Sequence, residues 1–193
     1  MNRIDVSPAP TVVALLAILM VGGIDRARAR DGAAPAKPKA DKTLVIEIPE
    51  ALRLRHEAFH AEFGRAAKDK GKVGEAARAI EKLAEAHFAK AKDAFPPLAL
   101  LPLLSEGKVS PEMSKVVPMA ERLKSSLPKI RREHRELVAG LKKLAAAAKK
   151  EGKTEYGRFA ERLIWHIQEE EEVLYPAVLL VGETVKKKLG EKP

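Results

Sequence analysis

The fold is decided by residues 129–176, which read KIRREHRELVAGLKKLAAAAKKEGKTEYGRFAERLIWHIQEEEEVLYP. Apolar residues recur at helical spacing on both sides of Glu151-Gly152, and this pair interrupts the pattern. Because a glycine after a periodic stretch is typical of a helix end, the segment predicts one helix over about Lys129 to Lys150. A second helix is predicted from about Thr154 to Leu189, with a kink at Pro176.

A similar pair of helices precedes this segment. Periodic apolar residues begin after Pro49 and stop at Lys70-Gly71-Lys72. A second periodic stretch runs from about Gly74 to Phe95, where Pro96-Pro97 ends it. The chain therefore contains two predicted helical hairpins, one after the other.

The residues between the two hairpins are predicted to form a connector. Pro118 and Pro128 interrupt the helical pattern there, and only one short helix is expected, beginning at Ser110-Pro111. The 12 glycines are few, and Ala, Leu, Lys and Glu dominate, a composition that favours helix. We predict an all-α fold, a four-helix bundle over residues 48–190.

The histidines follow the symmetry of the two hairpins. His56 and His87 are 31 residues apart, and the midpoint between them falls in the first turn, at Gly71. His134 and His166 are 32 residues apart, with their midpoint beside the second turn. Residues equidistant from the turn of an antiparallel hairpin lie side by side, at a level roughly 24 Å from the turn. We therefore expect four imidazoles to meet inside the bundle.

Two further side chains share these helix faces, because His60 follows His56 by four residues and Glu170 follows His166 by four. A lone histidine on an apolar face is more often a core residue than a ligand, but neutral packing gives no reason for the mirrored spacing. The chain has no cysteine, so any metal must be held by imidazole and carboxylate, which suit iron, manganese, zinc or copper. The predicted metal ligands are His56, His60, His87, His134, His166 and Glu170.

The neighbouring carboxylates are weaker candidates. Glu169 is the second choice to Glu170, and the rest of the Glu169–Glu172 run is predicted to be solvated. Glu133 and Glu136 flank His134 and are interpreted as surface charges.

The net charge of +9 does not indicate specific nucleic-acid binding. The lysines stand mainly at helix ends, where they complement the helix dipole, and aromatic residues are only 4% of the chain, which leaves no stacking platform. No GxGxxG, GxxxxGK[ST] or GxSxG motif supports nucleotide binding or a serine hydrolase.

The first 47 residues are predicted to lie outside the bundle. Residues 1–29 resemble a signal peptide, with Arg3, an apolar run over residues 11–24 and a small-x-small site ending at Ala29. We therefore expect an exported protein, or a cytoplasmic one if Met20 is the true start. Residues 30–47 are predicted to be a disordered linker, whose last residues form an extended lead-in with apolar side chains docked on the domain.

Four segments resemble the hemerythrin-like (HHE cation-binding) family: RLRHEAFH, AEAHFAKAKDAFPP, RREHRELV and WHIQEEEEVLYP, which hold His56, His87, His134 and His166. The resemblance covers about residues 48–181. It implies an up-down-up-down four-helix bundle holding a non-haem di-iron centre. It also implies binding of dioxygen, sensing of oxygen or redox state, handling of nitric oxide, or a role in iron metabolism.

One position departs from the family. The family usually has a second His-x3-Glu on helix two, whereas here Ala91 stands four residues after His87. The loss of one carboxylate is expected to weaken the second metal position. His60 is a candidate to bind the metal in place of the missing carboxylate. The alternatives are a site that holds a single metal ion and a former metal site that no longer binds any.

Ligand binding is the expected function, rather than turnover. Phe59, Phe63, Phe88 and Trp165 lie beside the predicted ligands, either as an apolar cage or as ordinary core. A small diatomic molecule, dioxygen or nitric oxide, is the expected partner, with no membrane after signal cleavage. An enzyme consuming peroxide or nitric oxide, and a metal-free scaffold that binds partners, remain alternatives. The sequence does not define the oligomeric state.

Overall fold

The computed structural model describes residues 44–190 of the 193. The predicted signal peptide and most of the predicted linker lie outside the described residues. Within them the fold is all-helical and contains no strand, and no helix there is both long and apolar enough to cross a membrane. The α-helices are α1 (Glu50–Ala67), α2 (Lys72–Arg78), α3 (Glu81–Ala94), α4 (Leu101–Ser105), α5 (Val116–Lys150), α6 (Thr154–Glu169) and α7 (Tyr175–Gly190).

The predicted second helix is divided into α2 and α3 at Ala79 and Ile80. Ile80 has φ −118° and ψ 10°, outside the helical region, and its side chain is buried. It packs against Gly140 of α5, where an added Cβ would lie 2.2 Å from Ile80 Cγ2. The absent side chain at Gly140 thus makes room for Ile80.

The start predicted for the third long helix, Lys129, was wrong, because α5 begins at Val116. Pro118 lies in the first turn, where a missing N–H costs no intrahelical hydrogen bond. Pro128 lies inside the helix, flanked by the buried residues Leu123 and Ile130, whose packing stabilises the segment around it. Tertiary packing here overrides the local effect of proline.

The helix after the second turn changes its winding shortly before Pro176. Residues Glu170–Leu174 form one π-helical turn between α6 and α7. Pro176 has no N–H to donate to the carbonyl group four residues earlier, and a wider turn accommodates this. The sequence predicted a kink at Pro176; the structure has a π turn just before this residue, which was not predicted.

The two hairpin turns contact each other at one end of the domain. The Lys72 backbone N–H donates to Glu151 Oε1 at 2.6 Å, and Lys153 Nζ lies 2.6 Å from Asp69 Oδ1. These contacts place the two hairpins in the same register, so residues at equal distance from either turn reach the same level.

The described residues before α1 have no regular secondary structure. Every second side chain in this stretch is apolar and packs on the helices. Leu44 and Ile46 pack on a core cluster that includes Val116 and Val181, and Ile48 packs on the neighbouring cluster around Phe95. The extended lead-in predicted for this stretch is therefore present over its described part.

A methyl group added at Gly182 is expected to lower the free energy of unfolding by about 1–3 kcal/mol. The new Cβ of Gly182→Ala would lie 2.3 Å from the Cβ of Ala120, because α7 packs directly on α5 there. Ala120→Gly in the same chain should recover part of the loss, as measured by urea denaturation.

The control for this prediction is Gly64→Ala on α1, where nothing lies within 4 Å of the added Cβ. Helix propensity alone should then stabilise the chain by up to about 1 kcal/mol. A loss in Gly182→Ala that Ala120→Gly leaves unchanged would contradict the close approach of α5 and α7.

Candidate metal centre

Four helices bring four histidines to one level of the core. His56 lies on α1, His87 on α3, His134 on α5 and His166 on α6, and all four are buried. Glu170, the first residue of the π turn, lies among them and is 0% exposed. The mirrored spacing of the histidines thus corresponds to a real meeting point.

One oxygen of the Glu170 carboxylate faces the histidines of α1 and α6. Glu170 Oε1 lies 3.1 Å from His56 Nε2 and 3.3 Å from His166 Nε2. The two imidazole nitrogens are themselves 2.8 Å apart. Three atoms that carry lone pairs therefore point toward one small region.

The other oxygen faces the histidines of α3 and α5. Glu170 Oε2 lies 3.5 Å from His134 Nε2 and 3.7 Å from His87 Nδ1. Tyr175 donates its hydroxyl hydrogen to the same oxygen at 3.0 Å. Each carboxylate oxygen thus faces one pair of histidines, and Tyr175 orients the carboxylate from one side.

The donor atoms fit a metal cation. One ligand atom from each of His56, His87, His166 and Glu170 can be chosen so that all lie within 4.8 Å of one another. His87 Nε2 is also buried with no hydrogen-bond partner, a state that is costly unless a ligand is bound. This group of buried imidazole and carboxylate side chains could hold a metal ion.

The ionisation states suit metal binding. Burial lowers the pKa of His87 to about 4, which leaves its ring neutral near pH 7, as a metal ligand must be. For Glu170, burial would raise the pKa, but hydrogen bonds from His166 and His56 outweigh it and hold the pKa well below the usual range. Burial and the Glu170 charge raise the pKa of Tyr175, so its hydroxyl stays protonated and donates.

Outer carboxylates contact the far edges of two of the rings. His134 Nδ1 lies 2.8 Å from Glu171 Oε1, and His166 Nδ1 lies 3.4 Å from Glu169 Oε2. Arg55 donates in turn to Glu169. Such partners fix the orientation of the rings. Glu169, the second-choice ligand, thus supports His166 from outside.

The structure does not bring His60 to this group. Its side chain is exposed, and its ring contacts Phe88 edge-on, with centroids 5.6 Å apart. Four helical residues turn through about 400°, so His60 is rotated by about 40° from His56 around α1. At that angle it lies outside the core, whereas Phe59 and Phe63 on the same helix are buried.

Two of the four residues predicted as an apolar cage or ordinary core contact the site histidines. Phe59 lies against His166, with ring centroids 5.2 Å apart, and Phe88 lies against His87 at the same separation. Phe63 is buried one turn farther along α1. Trp165 was wrongly placed, because it is 73% exposed on the outer face of α6.

Sequence reasoning missed two members of the site. Phe95 stacks on His56 at 5.8 Å, and Tyr175 stacks on Phe95 at 5.5 Å and contacts Glu170. Ala91 is buried and offers no carboxylate, as the sequence indicated. The signal for Tyr175 was its position five residues after Glu170, but only the π turn determines where that residue points.

Residues 125–190 match the family model of the hemerythrin HHE cation binding domain. This part of the chain is similar to that domain. The match includes His134, His166 and Glu170, whereas His56 and His87 lie before it and contact the matched segment. No curated protein and no solved structure matches the chain significantly.

Proposed function

We propose that the chain is a hemerythrin-like four-helix bundle of up-down-up-down topology that holds two non-haem iron ions and binds or senses dioxygen, nitric oxide or redox state. The observation that carries the proposal is the position of Glu170, whose two carboxylate oxygens each face a different pair of histidines. A carboxylate so placed would help to hold cations on both of its sides.

The buried residues contribute charge and orientation to such a centre. The negative charge of Glu170 partly offsets two cations, and His56, His87, His134 and His166 supply neutral nitrogen atoms. Tyr175 holds the carboxylate by its Oε2 atom, and Glu171 and Glu169 orient two of the rings. The chemistry that iron supplies when bound is reversible attachment of a diatomic molecule.

The aromatic residues support ligand binding over turnover. Phe59, Phe88 and Phe95 contact the histidine rings and limit the access of water to them. A site lined in this way offers little room for a large substrate. We therefore propose dioxygen or nitric oxide as the partner.

The proposal extends to the location of the protein. The apolar run over residues 11–24 and the small-x-small site ending at Ala29 favour export, after which the bundle would act outside the cytoplasm.

Metal analysis combined with an absorption spectrum tests the proposed function. The anaerobically purified chain should carry about two irons, develop near-ultraviolet charge-transfer absorption on aeration, and lose thermal stability with a chelator. A chain that binds no metal, and that melts at the same temperature with and without chelator, would instead be a metal-free helical scaffold.

A further inference from the structure

A small enclosed cavity lies beside the histidines that face Glu170 Oε2. Its volume is about 10 Å³, close to what one water molecule or one ion requires. His87, His134 and Tyr175 form its inner wall, and Lys90 and Glu133 form its polar outer wall. The cavity therefore connects the candidate metal centre with a charged pair near the surface.

His87, on the inner wall, faces Glu170 with one of its two ring nitrogens. Its Nδ1 atom lies 3.7 Å from Glu170 Oε2, and its Nε2 atom, on the other side of the ring, is buried without a hydrogen-bond partner. A cation on the Oε2 side would therefore be bound by the Nδ1 atom of His87.

Glu133 places a carboxylate on the same cavity. It immediately precedes His134 on α5, is half-buried, and accepts a hydrogen bond from Lys90 of α3. Lys129 lies 4.0 Å away on its other side. Among the described residues that line this cavity, Glu133 is the only carboxylate. Its interpretation as an ordinary surface charge therefore needs revision.

The other outer carboxylates are engaged elsewhere. Glu171 contacts His134 at Nδ1, and Glu169 contacts His166 and Arg55. On the Oε2 side, Glu170 alone would have to balance a divalent cation, with its oxygen also accepting from Tyr175. A second carboxylate on this side would balance the two positive charges of a divalent cation, and the alanine at position 91 has no carboxylate to offer.

We propose that Glu133 is the second carboxylate ligand of this centre, binding a divalent cation in the cavity together with His87 and His134. Without the cation, Lys90 holds Glu133 at the outer wall; on binding, the carboxylate leaves Lys90 and turns toward the ion. This inference rests on the proposed function, because it assigns a ligand to the second of the two metal positions.

Glu133→Gln tests the assignment, with Glu136→Gln as its matched control. Glu136 is exposed one turn along the same helix, so its substitution removes the same charge away from the cavity. With ferrous iron under anaerobic conditions, the native chain and Glu136→Gln should bind about two ions, and Glu133→Gln about one. Circular dichroism checks that each variant is folded, and metal content is the readout.

Two further variants test the proposal by raising the affinity for the second ion or by restoring its binding. Lys90→Met removes the competing ammonium and should raise the affinity for the second ion about tenfold. Ala91→Glu restores a carboxylate on α3 and, combined with Glu133→Gln, should return the second ion. Titration with cobalt(II) would follow both through its visible absorption.

Two results would overturn the assignment. Glu133→Gln could retain both ions, or Lys90→Met could leave the second affinity unchanged. If the native chain binds a single ion, the assignment of a second metal position is wrong, but the proposal that the chain binds metal is still supported. If no variant binds any ion, the proposed function fails as well.

Discussion

Glu170→Gln is expected to abolish metal binding at both positions. The substitution keeps the shape of the side chain and removes the charge that faces all four buried histidines. We expect affinity to fall by about a hundredfold or more, because the change removes a direct ligand, and the loss of an outer partner alone costs about 10–100-fold.

Thermal stability gives a second measure of the same loss. A ligand at a hundred times its Kd stabilises a folded chain by about 2.7 kcal/mol. The native protein should gain about this amount when ferrous iron is added, and Glu170→Gln should gain almost none. Glu172→Gln, an exposed member of the same acidic run, is the matched control and should respond like the native protein. A full stabilisation of Glu170→Gln by iron would show that the ion binds elsewhere.

The meeting of the four histidines could be predicted because it depends only on helix rise and on the position of two turns. In both hairpins the helical pattern is interrupted at a glycine-containing stretch, so the positions of the turns are clear from the sequence. The structure brings the two turns together through contacts of Glu151 and Asp69. Small errors at helix ends do not change which residues are level with one another. The mirrored spacing was therefore a better guide than any predicted helix boundary.

The orientation of individual side chains was less predictable, because it depends on angle as well as level. His60 shares the helix with His56 but is rotated away from the core by about 40°. Trp165 immediately precedes His166, but adjacent helical residues differ by about 100°, and Trp165 lies on the exposed side of the helix. Proximity in sequence to a ligand therefore did not place either residue at the site.

Features that depend on tertiary packing were missed altogether. α5 continues through Pro128 because buried neighbours on both sides hold it, and nothing local indicates this. The π turn at Glu170 determines how that carboxylate and Tyr175 meet, and such turns have no reliable sequence signal. Glu133 was assigned to the surface because its contact with the cavity depends on how α3 and α5 pack.

Acid is expected to destabilise the metal-free protein through His87. Its ring is buried and neutral, with its pKa lowered to about 4, whereas the same group in the unfolded chain has a pKa near 6.5. The unfolded chain therefore binds a proton over this range that the folded chain does not, so stability is present above pH 6.5 and is lost as pH falls toward 4. The loss should reach about 3 kcal/mol near pH 4, with about 2 kcal/mol already gone near pH 5.

His87→Gln separates this contribution from that of the carboxyl groups. Glutamine does not titrate, so the variant should lose much less stability than the native chain between about pH 6.5 and 5, in urea denaturation with a chelator present. His60→Gln is the matched control, because it makes the same substitution at an exposed histidine outside the core. Equal slopes for His87→Gln and the native chain would mean that His87 takes up its proton without unfolding, and that the core around it is open to water.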